Sequence, residues 1–80
     1  MLLKIYTLKG IEFAGPILSL NVMTEAGEIT ILDHHRSLVS ILKKGEIKIV
    51  DETKQTKVIM VSSGFLEVCP GNLVNILANL

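Results

Sequence analysis

Both histidines and the only arginine stand together in Ile31–Leu38, "ILDHHRSL", beside Asp33. Asp, His, His and Arg in a row are the residue types of a metal site or an acid–base cluster. Adjacent side chains on a strand point to opposite faces, and zinc needs ligands that converge with a third close by. Only a tight loop could aim His34 and His35 at one ion, and Cys69 is the sole thiol available to help. A solvated turn is the expectation, with no metal. Acyl transfer needs a nucleophile, a base and a group that orients the base. Ser62, Ser63, Cys69, His35 and Asp33 supply the types, but no Gly-x-Ser-x-Gly elbow surrounds either serine. Ser62-Ser63-Gly64 reads as a bend before a strand, and Cys69, followed by Pro70, reads as a small strand-end residue. Gly27, Gly45, Gly64 and Gly71 stand alone without a Gly-Lys-Ser/Thr, so no phosphate cradle and no cofactor are expected.

The totals point the same way. Eighty residues make one domain, and a chain of this size gains from a partner. Eight basic and eight acidic residues give a formal net charge of zero. The basic residues are scattered among acids, which argues against nucleic acid. A single cysteine cannot form an internal disulfide. Met1–Ile5 lacks the length and cleavage site of a secretory signal. Mean hydropathy is high at +0.51, yet no apolar run reaches a membrane-spanning length. Direct membrane insertion is not expected, but cover for apolar surface is.

The elements that would position these residues have a period of two. Alternation recurs in Leu18–Val22, Glu28–Ile31, Glu46–Ile49, Lys57–Val61, Phe65–Val68 and Leu73–Leu77. Gly10, Gly15-Pro16, Ala26-Gly27, Lys44-Gly45 and Pro70-Gly71-Asn72 punctuate it, and Asp51–Thr56 reads as a polar hairpin connection. Arg36–Gly45 fits either a short glycine-capped helix or a strand with Leu38, Ser40 and Leu42 on one face. Strand-like neighbours at hairpin spacing favour the strand. The expectation is an all-β, flattened sandwich or barrel of short, mostly antiparallel strands over residues 1–80. Ile5, Leu18, Leu20, Val22, Ile31 and Ile49 should point inward, with Ile59, Val61, Leu66, Val68 and Ile76.

Read as ordered text, the chain says more. Gly27-Glu28-Ile29-Thr30-Ile31-Leu32 is followed by a loop to Leu38 and by Lys43-Lys44-Gly45. Then come Val61-Ser62-Ser63-Gly64-Phe65-Leu66-Glu67-Val68, Asn72 and Val74-Asn75-Ile76-Leu77-Ala78. This order resembles the N-terminal β-sandwich domain of the epsilon subunit of F-type ATP synthases, the delta subunit of mitochondria. That family reads "P-G-H-A-P-L" where this chain has Asp33 to Leu38, so His35 falls on the family histidine. Asp33, His34, Arg36 and Ser37 replace Pro, Gly, Ala and Pro, which removes rigid turn chemistry and adds charge.

The resemblance implies a non-catalytic rotor subunit of the central stalk. It would join gamma to the c-ring on the cytoplasmic face of a bacterial energy-coupling membrane, and so couple ion flow to ATP synthesis and hydrolysis. One apolar face would bind gamma. A contact loop comprising Glu25, Gly27, Glu28, Asp33, His34, His35, Arg36, Ser37 and Leu38 would meet the ring and the base of gamma. "LDHHRS" also resembles the "[IL]-D-x-x-R-A" signature with which some epsilon subunits bind ATP. That signature sits in a C-terminal helical hairpin, whereas here it follows a strand, so ATP binding is not expected. The hairpin would begin where this chain reaches Leu80; a chain without it, whether naturally short, the favoured reading, or truncated, would lack the brake that the hairpin supplies. The alternatives are a free-standing β-sandwich binding module with another partner and, more remotely, a small hydrolase using His35.

Overall fold

The computed structural model describes residues 1–80 and contains eight strands and no helix. They are β1 (Leu2–Thr7), β2 (Gly10–Thr24), β3 (Gly27–Leu32), β4 (Leu38–Leu42), β5 (Gly45–Asp51), β6 (Thr56–Val61), β7 (Ser63–Cys69) and β8 (Leu73–Asn79). The long strand β2 belongs to both layers. Its first half pairs with β1 from Gly10 to Pro16, and its second half pairs with β3 and β5. One layer therefore runs β2-β1-β8-β7-β4 and the other runs β3-β2-β5-β6. Only the β1–β8 pairing is parallel.

What lets β2 change layers is local. The β2–β5 register shifts between Ile17 and Ser19, so the chain carries a bulge there. A bulge adds one residue, bends the strand and flips the side-chain parity beyond it. Phe13 and Ile17 face the core before it, Leu20 and Val22 after it. The alternation predicts that Leu18 shares the inward face of Leu20, but the bulge turns it outward, and it is 39% exposed. The other ten residues of the expected core are buried.

The two layers interdigitate their inward rows. Leu3, Ile5, Leu66, Val68, Val74 and Ile76 face Ile17, Leu20, Val22, Ile31, Ile47 and Ile49. Each such side chain contributes about 1.5–3 kcal/mol on burial. Within Arg36–Gly45, Leu38–Leu42 forms strand β4, paired with β7 from Leu38↔Val68 to Leu42↔Gly64. Leu42 is buried and Leu38 packs on the core, while Val39 and Ile41 point out. That pairing supplies backbone partners and core contact together, which a one-turn helix could not match.

Side chains close the turns. Buried Thr24 donates its hydroxyl to the Gly27 carbonyl at 2.8 Å and accepts from the Ala26 amide at 3.1 Å. Asp51 Oδ1 accepts from the amides of Thr53 and Gln55 and from the Thr53 hydroxyl at 2.6 Å. The polar Asp51–Thr56 connection is thus a hydrogen-bonded hairpin turn.

Candidate protein interfaces

The loop between β3 and β4 carries the two histidines. His34 adopts φ +61°, a left-handed conformation that costs strain for most residues other than glycine, asparagine and aspartate. The His34 amide donates to Asn72 Oδ1 at 2.8 Å, and the His35 amide to the Leu32 carbonyl at 3.2 Å. Asp33 Oδ1 accepts from the amino group of Met1 at 2.6 Å and from Asn72 Nδ2 at 3.3 Å. The hydrogen bond from that amino group, then the one from Asn72, holds the Asp33 carboxyl below the usual carboxylate range. The His35 Nδ1 lies 2.7 Å from the Arg36 carbonyl, so it carries the proton and donates.

This geometry does not make a reaction centre. No group of three His, Cys, Asp or Glu side chains gathers to hold a metal. The hydroxyl of Ser62 donates to the Asn79 carbonyl, and Ser63 accepts from Asn79 Nδ2. Both serines tie β7 to the end of β8. Cys69 is a free thiol pushed up in pKa by burial and by neighbouring Glu67, the opposite of an activated nucleophile.

The expected contact residues fall in two clusters. Glu25 sits in the β2–β3 turn, its amide donating to the Ile41 carbonyl. Gly27 and Glu28 begin β3, with Glu28 opposite Met23. Asp33, His34, His35, Arg36 and Ser37 form the loop after β3, and half-buried Leu38 opens β4. The six-residue strand β3 separates the clusters by roughly 17 Å. What the sequence reading presents as one loop is the edge strand β3 with a polar cluster at each end.

A second surface lies on the other layer. Through the registers of β4, β7, β8 and β1, the outward residues Ile41, Phe65, Leu77 and Tyr6 form one cross-strand row. Ile11 extends it onto β2. Phe65 and Leu77 are 56% and 54% exposed. Leu8, Ile41, Phe65 and Leu77 line a shallow depression of about 230 Å³. Outside the β3-β2-β5-β6 layer the surface is mixed, with Asn21, Glu28, Glu46 and Lys48 around Met23 and Met60. The sequence reading expects an apolar face without locating it. Its signal is that β4, β7 and β8 carry large apolar residues at both parities, as strands covered on both faces do.

The fold is an all-β sandwich with an apolar outer face on one layer and a polar edge on the other. More particularly, the chain belongs to the family described as ATP synthase, Delta/Epsilon chain, beta-sandwich domain, whose model matches residues 1–80. It is 41% identical over 75 residues to an ATP synthase epsilon chain of Endomicrobium trichonymphae, covering 94% of this chain and 53% of that one. It is 34% identical over 72 residues to the epsilon chain of Campylobacter curvus, covering 90% and 56%. The chain thus spans about half the length of the curated relatives it matches. The fold matches a chain in the mitochondrial ATP synthase of Euglena gracilis with a TM-score of 0.89 at 22% identity, over 95% of this chain and 48% of that one. A central-stalk and c-ring structure from Tetrahymena thermophila gives 0.85 at 16% identity, over 100% and 63%. The resemblance carried by the ordered motifs and the all-β sandwich are both borne out.

Proposed function

We propose that the chain is a non-catalytic rotor subunit of the central stalk of an F-type ATP synthase, seated between gamma and the c-ring. It works by transmitting torque. The observation that carries this reading is the apolar row Ile41–Phe65–Leu77–Tyr6 on the outside of a layer whose inside already forms the core. Large contiguous apolar surface on a small domain marks a binding face. Its breadth across four strands suits the extended contact, around 1,000 Å² or more, of a stable interface. Gamma is assigned to this face. The edge strand β3, with Glu25 and Glu28 at one end and Asp33 to Arg36 at the other, is assigned to the polar loops of the ring. Charge there governs orientation and encounter more than affinity. In this reading attachment to the membrane runs through the ring; no helix is long and apolar enough to cross a membrane.

Site-specific photo-crosslinkers test the assignment. Placed at Phe65 they should capture gamma, and at Thr30, in the middle of β3, they should capture the ring subunit. Capture of the same partner from both positions would refute the two-surface reading.

A further inference from the structure

The five residues Asp33 to Ser37 contain neither proline nor glycine, and one of them, His34, is held in the left-handed region. A loop of this composition would be expected to sample many conformations. It is fixed from outside by Asn72, 38 residues away in the β7–β8 turn. Asn72 accepts from the His34 amide through Oδ1 and donates to Asp33 through Nδ2. A carboxamide can do both at once, which a carboxylate or a hydroxyl cannot do with this geometry. Asn72 is itself anchored, because its carbonyl accepts from the Leu2 amide at 3.0 Å and its φ is +63°, a conformation asparagine tolerates. The β7–β8 turn belongs to one layer and the β3–β4 loop joins the two, so this side chain locks loops of different layers together.

From this geometry we infer that Asn72 is a positioning residue for the ring-facing loop, and that the β7–β8 turn and the β3–β4 loop act as one rigid contact surface. This rests on the rotor reading above. Among the groups displayed is the exposed Arg36 guanidinium, a donor-only cation. It fits a polar partner loop that offers acceptors, such as carboxylates and exposed carbonyls.

Two variants test it in the chain assembled with gamma and the c-ring. Asn72→Gly keeps the left-handed backbone and removes both side-chain bonds. The double variant Asp33→Asn with Asn72→Asp exchanges donor and acceptor. Its carboxylate, now on the β7–β8 turn, accepts from the His34 amide and from the carboxamide introduced on the β3–β4 loop. Hydrogen exchange at the His34 amide should rise about three- to tenfold in Asn72→Gly, the effect of one net hydrogen bond. Affinity of the gamma complex for the purified ring should fall in parallel, and the exchanged pair should restore both. Unchanged exchange, unchanged ring affinity, or failure of the exchanged pair to restore either would overturn the inference. A wild-type gamma complex that does not bind the ring would instead refute the rotor reading and the partner half of this inference. The exchange rates would then still decide whether Asn72 fixes the loop.

Discussion

Gly64→Ala should destabilise the domain through backbone crowding alone. Gly64 pairs with Leu42 on one side and Ala78 on the other. A Cβ there would lie 2.5 Å from the Leu77 carbonyl oxygen and 3.2 Å from the Ala78 Cα, where ordinary contact begins at 3.4 Å. Close to 1 Å of relief must come from β8, whose Ala78 and Ile76 side chains are packed in the core. Overpacking of this kind costs roughly 1–3 kcal/mol. Restriction of the unfolded chain returns about 0.4–1 kcal/mol. The mid-range difference, a net loss of about 1.3 kcal/mol, lowers Tm by roughly 5–10 °C in a domain of this size. Gly15→Ala is the control, because its Cβ would meet only Phe13 Cζ at 3.9 Å, an ordinary contact, and its φ is not in the left-handed region. It should be neutral or stabilising by about 0.4–1 kcal/mol. Urea titration followed by far-ultraviolet circular dichroism measures both. Equal stability of the two variants would refute the argument that close approach of β8 dictates glycine at this position.

Thr24→Val should cost about 1–3 kcal/mol in the same titration, since it leaves the Ala26 amide without its partner. Asp51 has its carboxyl held below the ordinary value of 3.8, first by the Thr53 hydroxyl and next by the Gln55 amide. A depressed folded value means stability that is present above pH 3.8 and lost as pH falls through the folded value, so Asp51→Asn should flatten the acid limb of a stability–pH curve. Charge reversal should weaken ring attachment at either end of β3, Glu28→Lys at one and Arg36→Glu at the other, and leave the gamma complex intact. Sedimentation of assembled complexes with ring vesicles would reveal an effect confined to one end.

The alternation of Ile47–Ile49, Ile59–Val61 and Leu66–Val68 makes the sandwich readable, because a strand with one buried face writes its parity into the chain. Leu18 misleads because a bulge has no composition signature beyond the nearby Gly15-Pro16, and the added residue takes Leu18 out of the alternation that Leu20 and Val22 keep. The ordered motifs point to the family, and the alternation of Glu28–Ile31 marks the strand inside Glu25–Leu38. What grouping those residues as one contact loop misses is that this six-residue strand carries its ends far apart. Asn72 is visible only as a turn residue. Its bonds to His34 and Asp33 join distant parts of the chain, and no local pattern encodes contacts of that separation.

The central claim is that the outer face of the β1-β8-β7-β4 layer holds gamma. It is tested most directly by titrating purified gamma with the wild-type chain, with Phe65→Glu and with Met60→Glu in a calorimeter. Phe65 lies in the middle of the apolar row, and Met60, similarly exposed at 58%, lies outside the other layer. Loss of a central aromatic anchor costs about 2 kcal/mol or more. The account predicts that Phe65→Glu weakens binding by roughly thirtyfold or more, while Met60→Glu binds as the wild type does. Loss of binding in Met60→Glu with full binding in Phe65→Glu would contradict it.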